Sequence, residues 1–290
     1  SWRTEPFCIS HQCSPAAMPL SAERAKEVER LLRDTAGPSE LKLDLDVMEA
    51  DLKKVLSPDH PYFNDSVLLR NFLIARKLKL DETLQMLKAH EEWRKANLPV
   101  QITEPLIQEL KKGKVEIYGK DVKGRPLVIV RSGRFDPKVR DLSVAMAAVV
   151  YQVDQAIASA GKSDTQFMIF YDRTGFSLRQ NWDFEYIKAA VTTLSDNYPE
   201  RLGGVFLYPA TAVLAGLVAL IKPFMDARTR SKVHTITSDK ALLERVPAEY
   251  VPVAAGGTSQ HVFDPSMFDS LASQVKSSPP VEYQPNVEIS

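Results

Sequence analysis

Cysteine is almost absent: the 290 residues hold two, Cys8 and Cys13, both in an N-terminal stretch without periodicity. Two sulfurs there suit neither a disulfide-stapled secreted fold nor a zinc site, which needs more ligands. Excess charge is also missing: 37 basic residues balance 37 acidic ones. That argues against a general nucleic-acid binder, which carries a basic surplus, yet it leaves room for a local basic patch facing a membrane. The five histidines, His11, His60, His90, His234 and His261, are scattered and each reads as a surface or internally satisfied residue. There is no P-loop, no dinucleotide glycine fingerprint and no zincin histidine pair. Ser132-Gly133 and Gly256-Gly257-Thr258-Ser259 offer no nucleophile elbow. No catalytic constellation stands out, so the expectation is a protein that is not an enzyme, with no metal and no cofactor. The N-terminus lacks a basic-then-apolar leader, which makes the cytosol the expected compartment.

A long apolar run is missing as well. Val205 to Ile221 spans 17 residues without a charge, but Pro209 interrupts it and leaves the 12 residues from Ala210 to Ile221. A bilayer core demands about 20. A segment this uniformly apolar still has to be buried in something, either a protein core or lipid, and its composition does not choose between them.

What is present reads as α/β. Residues 1–20 read as a disordered tail, and residues 21–110 as a small helical module. Ser21 is a candidate N-cap with Glu23 in its first turn, and Val28, Leu31 and Leu32 form an apolar stripe. Asp65 or Ser66 opens a second helix, and Asp81 caps another with Leu80, Leu84 and Leu87 on one face. Trp93 near its end reads as core, and Pro99 stops it. The pattern then changes. Val115 to Tyr118, Leu127 to Val130, Phe167 to Tyr171, Leu202 to Tyr208 and Val233 to Thr237 read as strands. Between them, Leu142 to Ala160, Trp182 to Asn197 and Ala210 to Met225 read as helices, with a short helical turn at Leu242 to Arg245. Such alternation predicts a mixed, mostly parallel sheet with flanking helices over 111–262. Residues 263–290, with their SSPP and QPN, read as a loosely ordered C-terminal tail.

The stretch from Tyr198 to Val233 organises this second region. A polar turn, Pro199-Glu200-Arg201, opens a strand; the apolar segment follows; Arg228, Arg230 and Lys232 close it. YPERLG at 198–203, KPFMD at 222–226, Thr229 to Lys232 and VPVAAGG at 251–257 occur in the order found in the CRAL-TRIO family. The chain resembles that family, in particular its phosphatidylinositol-transfer branch. LLRNFLIARKLKLDETLQMLKAHEEWRK at 68–95 resembles the family's helical module, and DVKGRP at 121–126 its hairpin turn.

The resemblance implies a CRAL-TRIO domain with an apolar lipid pocket, a phospholipid as ligand, and a gate helix matching Ala210 to Met225. It places Arg76, Glu200, Arg201, Thr229 and Lys232 around an inositol phosphate headgroup. Lys232 would neutralise phosphate, and Glu200 would accept from inositol hydroxyls. Tyr151, Phe167, Ile169, Val213, Leu214, Leu217, Leu220, Ile221 and Phe224 would line the acyl pocket and gate, with Ala212, Ala215, Gly216 and Ala219 letting the gate slide. Gly203 and Gly257 match hinge positions. The implied partners are membrane phospholipids, phosphatidylinositol first, through transient peripheral contact, with a lipid kinase as a recipient and the protein acting as a monomer. One departure from the family matters. Where relatives that also carry phosphatidylcholine present small hydroxyl residues, this strand has Phe167 and Ile169, and the hairpin has Ile117 and Val128. Two other readings therefore stay open: a carrier or sensor of another hydrophobe (a sterol, a prenyl lipid or haem), and a protein-interaction module.

Overall fold

The computed structural model describes residues 42–160 and 166–275, together with Lys26 and Val28. The expectations for residues 1–20, for Ser21 and Glu23, for Leu31 and Leu32, and for 276–290 lie outside the described residues.

Helices α1 (Lys42–Val55), α2 (Ser66–Ala75) and α3 (Leu80–Asn97) form the N-terminal module. Their apolar stripes meet in one core that includes Leu45, Leu52, Phe72, Leu73 and Leu87, with Val28 buried against them. Asp65 is the cap of α2, its carboxylate accepting from the Leu68 N–H at 2.9 Å. Asp81 does not cap α3. That helix starts at Leu80, and Asp81 sits in its first turn, where a carboxylate still favours the positive end of the helix dipole. The start is set instead by Lys77 and Leu78, two residues at φ 53° and 61° that reverse the chain after α2. Leu78 is buried and anchors the reversal. The helix ends at Asn97, ahead of Pro99.

Helix α4 (Glu104–Lys111) leads into strands β1 (Val115–Lys120) and β2 (Pro126–Arg131). Helix α5 (Leu142–Ser159), β3 (Phe167–Asp172), the short α6 (Leu178–Asn181), α7 (Phe184–Asn197) and β4 (Leu202–Tyr208) follow. Helices α8 (Ala212–Ile221) and α9 (Ala227–Ser231), β5 (Val233–Thr235) and α10 (Asp239–Leu243) complete the domain. The strands lie in sequential order, β1 antiparallel to β2 and the rest parallel. Parallel strands in sequential order, joined by crossovers of one hand, put all the crossover helices on one face. Helices α5, α7 and α8 indeed share that face.

Strand periodicity sorts the side chains. Val128, Ile169, Val205 and Val233 are register partners across four strands and face the helices. Their neighbours Leu127, Ile129, Met168, Phe170 and Phe206 point the other way, into a core closed by Leu242, Val246, Val251 and Ala255. Helix α5 is the one helix among the described residues long and apolar enough to cross a membrane. It serves as a core helix, burying Met146, Val149, Val150 and Val153.

Two segments differ most from the sequence expectation. The apolar helix is shorter, Ala212–Ile221, because Lys222-Pro223-Phe224 tightens into a 3₁₀ turn. The segment after 262 is not loose as far as Val275. Pro265–Gln274 forms a 3₁₀ helix, and Phe263, Phe268 and Leu271 are buried against Leu106, Ile107 and Leu110 of α4. Phe268 and Leu271 are three residues apart, which is one 3₁₀ turn. A few apolar residues at that spacing are enough to dock a strap that composition marks as polar.

Candidate functional site

The helix-covered face of the sheet is not filled. Beneath α8 lies an apolar cavity of about 180 Å³, walled by Val128, Ile169, Val205, Ala190, Leu194 and Met225 among others. Beside it, a pocket of about 610 Å³ opens between the end of α2, the end of α7 and α9. The two share Ile169, Val191, Leu194, Val205, Met225 and Val233 as a common wall. One compartment is apolar and the other is lined by charge, which is the division an amphiphile requires.

Local rules place the charged residues. Asp226 caps α9, accepting from the Thr229 N–H at 2.9 Å and the Thr229 hydroxyl at 2.7 Å. Burial raises the Asp226 carboxyl, but the Thr229 bonds, with the Arg228 N–H and the Lys232 charge, together hold the pKa below the ordinary range. Arg228 and Lys232 are four residues apart, which brings them to one side of the turn. Both reach Glu200: Arg228 Nε lies 2.8 Å from Oε1, and Lys232 Nζ 3.3 Å from Oε2. The three side chains are 19%, 11% and 12% exposed for Arg228, Lys232 and Glu200, so they interact at reduced dielectric. Burial pushes the Lys232 pKa down, with the Glu200 carboxylate opposing and the Arg228 cation adding to the fall.

Glu200 stands in the left-handed region at φ 59°. A non-glycine residue there carries about 1–3 kcal/mol of strain that its surroundings must offset. Arg76 ends α2, and with Lys77 it enters the pocket wall through the left-handed reversal after that helix. The lining holds four cations (Arg76, Lys77, Arg228, Lys232) and three carboxylates (Asp196, Glu200, Asp226). The surplus is one positive charge, suited to an anion that also carries hydroxyls.

Of the expected headgroup residues, the structure brings Arg76, Glu200, Thr229 and Lys232 together. Arg201 is not in the pocket lining; its backbone carbonyl accepts from Phe167 and its N–H donates to Tyr198. Arg228 was not among the expected headgroup residues, yet it is a direct partner of Glu200. Its spacing of four from Lys232 is the signal that could have found it.

Of the apolar set, Leu214, Leu217 and Ile221 face the cavity. Phe167 and Phe224 line the pocket, and Ile169 borders both compartments. Three residues are corrected. Val213 and Leu220 are each 54% exposed; they lie seven apart on the outer face, while the inner face is 214, 217, 218 and 221. Tyr151 packs beside α4 and the C-terminal strap, since it lies two residues, or about 200°, from the cavity-facing Val149. The small residues Ala212, Ala215, Gly216 and Ala219 are exposed too, and a Cβ on Gly216 would meet nothing within 4 Å. They form an outer surface, not a sliding contact. Both expected hinge glycines have a packing reason. A Cβ on Gly203 would lie 2.5 Å from Arg125 Nη1, and one on Gly257 would lie 2.0 Å from the Val251 carbonyl oxygen.

A mixed α/β sheet with helices on one face, an apolar cavity under a short helix and a charged pocket at its edge defines the class. The chain belongs to the CRAL/TRIO domain family, whose pattern residues 110–257 match. It is 25% identical over 259 residues to phosphatidylinositol transfer protein CSR1 of Eremothecium gossypii, covering 85% of this chain and 56% of that relative. It is 28% identical over 237 residues to Sec14 cytosolic factor of Schizosaccharomyces pombe, covering 74% of this chain and 82% of that one. The crystal structure of Sfh5 shares the fold, with a TM-score of 0.54 at 18% identity over 92% of this chain and 96% of that one.

Proposed function

We propose that this protein encloses one phosphatidylinositol molecule and moves it between membranes or presents it to a lipid kinase. The observation that carries this reading is the junction of a charged pocket holding Glu200, Arg228 and Lys232 with an apolar cavity beneath α8. The headgroup phosphate would take Lys232 and Arg228, and inositol hydroxyls would donate to Glu200. A buried anion needs such cations and donors to offset its desolvation. The names of the relatives support the same ligand class.

Helix α8 supports a gate. Its ten residues, AVLAGLVALI, are apolar on every side, and such a helix has to be buried on both faces. Leu214, Leu217 and Ile221 cover the cavity; the outer face, with Val213 and Leu220 each 54% exposed among the described residues, suits lipid. A cavity of about 180 Å³ falls below the roughly 300–1,000 Å³ of ordinary ligand sites. Two acyl chains therefore require α8 to swing outward, as it would at a bilayer. No bond is made or broken.

The small cavity and the bulk of Phe167 and Ile169 favour a second reading, a carrier of a compact hydrophobe. Solvent extraction of the purified protein, mass spectrometry and vesicle exchange with labelled phosphatidylinositol and phosphatidylcholine separate the two. Inositol lipid bound and exchanged, with choline lipid ignored, supports the first; another hydrophobe without inositol lipid exchange sinks it. Lys232→Ala should abolish phosphatidylinositol exchange while leaving the melting temperature nearly unchanged. Undiminished exchange would remove Lys232 from the site.

A further inference from the structure

The hairpin turn DVKGRP, Asp121 to Pro126, lies outside the pocket lining, yet hydrogen bonds lead from it to the centre of the pocket. Asp121 is buried. Its Oδ1 accepts from the Lys123 and Arg125 N–H groups, each at 2.9 Å. Its Oδ2 accepts from Arg125 Nε at 2.8 Å and Nη2 at 2.6 Å. The guanidinium is thus pinned on one edge. Its Nη1 reaches Gln166 Oε1 at 3.3 Å. The Gln166 amide then donates from Nε2 to the Glu200 carbonyl at 3.1 Å.

Room for this path is made in β4. The register slips by one residue between Phe167 and Met168, whose partners are Leu202 and Gly204. Gly203 is the extra residue, and a side chain there would collide with Arg125 Nη1. The path ends on the residue held at φ 59°. In the ordinary helical or extended regions the Glu200 carbonyl would point elsewhere and the Gln166 bond would break.

We propose that Gln166 is a positioning residue for the ligand site: braced by Arg125 and Asp121, it holds Glu200 in the left-handed conformation that brings its carboxylate to Arg228 and Lys232. The ligand consequence rests on the phosphatidylinositol reading; the positioning does not. Selectivity for an anionic, hydroxyl-bearing headgroup then depends on a residue just ahead of β3 that lies outside the pocket lining. The DVKGRP turn thereby becomes part of the site and not merely a loop.

Two variants of the full chain test this. Gln166→Leu removes both bonds at similar volume. Gln166→Glu keeps the acceptor for Arg125 and removes the donor to Glu200. In crystal structures of both, Glu200 should leave positive φ and its carboxylate should lose contact with Arg228 or Lys232. Glu200 unmoved in both would overturn the proposal whatever the ligand is. In vesicle assays with labelled phosphatidylinositol, each variant should lose about tenfold in exchange, the weight of one or two hydrogen bonds. Added to Glu200→Gln, Gln166→Leu should cost nothing further, because residues acting through one contact are not additive. Losses that multiply would make Gln166 a mere structural brace and overturn the role assigned to it. Absence of exchange by the unmodified protein would instead sink the phosphatidylinositol reading, and the crystal structures would still decide the positioning.

Discussion

The two faces of the sheet are built from the same strands and the same kinds of residue, yet they serve different ends. On the far face, Ile129, Phe170 and Phe206 pack against Ile236, Leu242 and Val251 in a closed core. On the near face, Val128, Ile169 and Val205 meet three helices that leave a cavity and a pocket between them. The far face is covered by short turns that follow the strands closely. The near face is spanned by the longer α5 and α7, and the ten-residue α8 closes over a cavity. Apolar composition secures burial on both faces; only the shape of the covering layer separates core from site.

The comparison can be broken by truncation on either side. Phe206→Ala on the closed face should cost about 3–5 kcal/mol, since the lost contacts leave a new cavity. Ile169→Ala borders existing space and should cost about 2 kcal/mol or less, the low end for its type. Urea unfolding measures both, and equal losses would show that the near face is packed as tightly as the far one.

A third apolar surface, the joint between module and domain, sharpens the contrast through pH. His90 is buried beside Phe72 and Trp93, and its Nδ1 lies 3.4 Å from Asn197 Oδ1 at the end of α7. Burial lowers its pKa from the ordinary 6.5 to about 4, with the Asn197 bond opposing and Arg94 assisting. The unfolded chain binds the proton first as pH falls. Stability is therefore full above 6.5 and declines until about 4, by at most about 3 kcal/mol. Unfolding of His90→Gln across that range should show a flatter slope; an unchanged slope would place the titration elsewhere.

The smallest effect on stability belongs to the outer face of α8. Val213→Asp with Leu220→Gln should change stability by about 0.5 kcal/mol or less, as exposed sites do. The same pair should slow phosphatidylinositol exchange with vesicles. Exchange at the original rate would mean that the outer face does not meet lipid.

Much of the fold was legible in the sequence because it is local. Short apolar runs without a polar face marked Phe167 to Tyr171 and Leu202 to Tyr208 as buried strands. Thr211 and Asp226 take up the N–H three residues ahead, so where a helix begins is written in a four-residue window. Asp81 misled because a left-handed Lys77-Leu78 reversal is set by tertiary contacts of Leu78, and no residue type there announces it. The strap after 262 was missed because Phe263, Phe268 and Leu271, spread among mostly polar or small residues, carry weight only when packed against α4.

The candidate site divides the same way. Arg76, Glu200, Thr229 and Lys232 were placed by motif, and one pocket gathers them. Tyr151, Val213 and Leu220 were placed on the wrong faces. Helical spacing says which residues share a side, and α8 is apolar on every side, so the pattern holds no clue to which one turns inward. By itself, the sequence determined the alternation of strands and helices, the helix caps and the chemistry gathered near Glu200 and Lys232. The tertiary structure decided which side of α8 closes the cavity, that Arg228 shares Glu200, and that Gln166 reaches it from just ahead of β3. Those are contacts across space, and local preferences along the chain do not encode them.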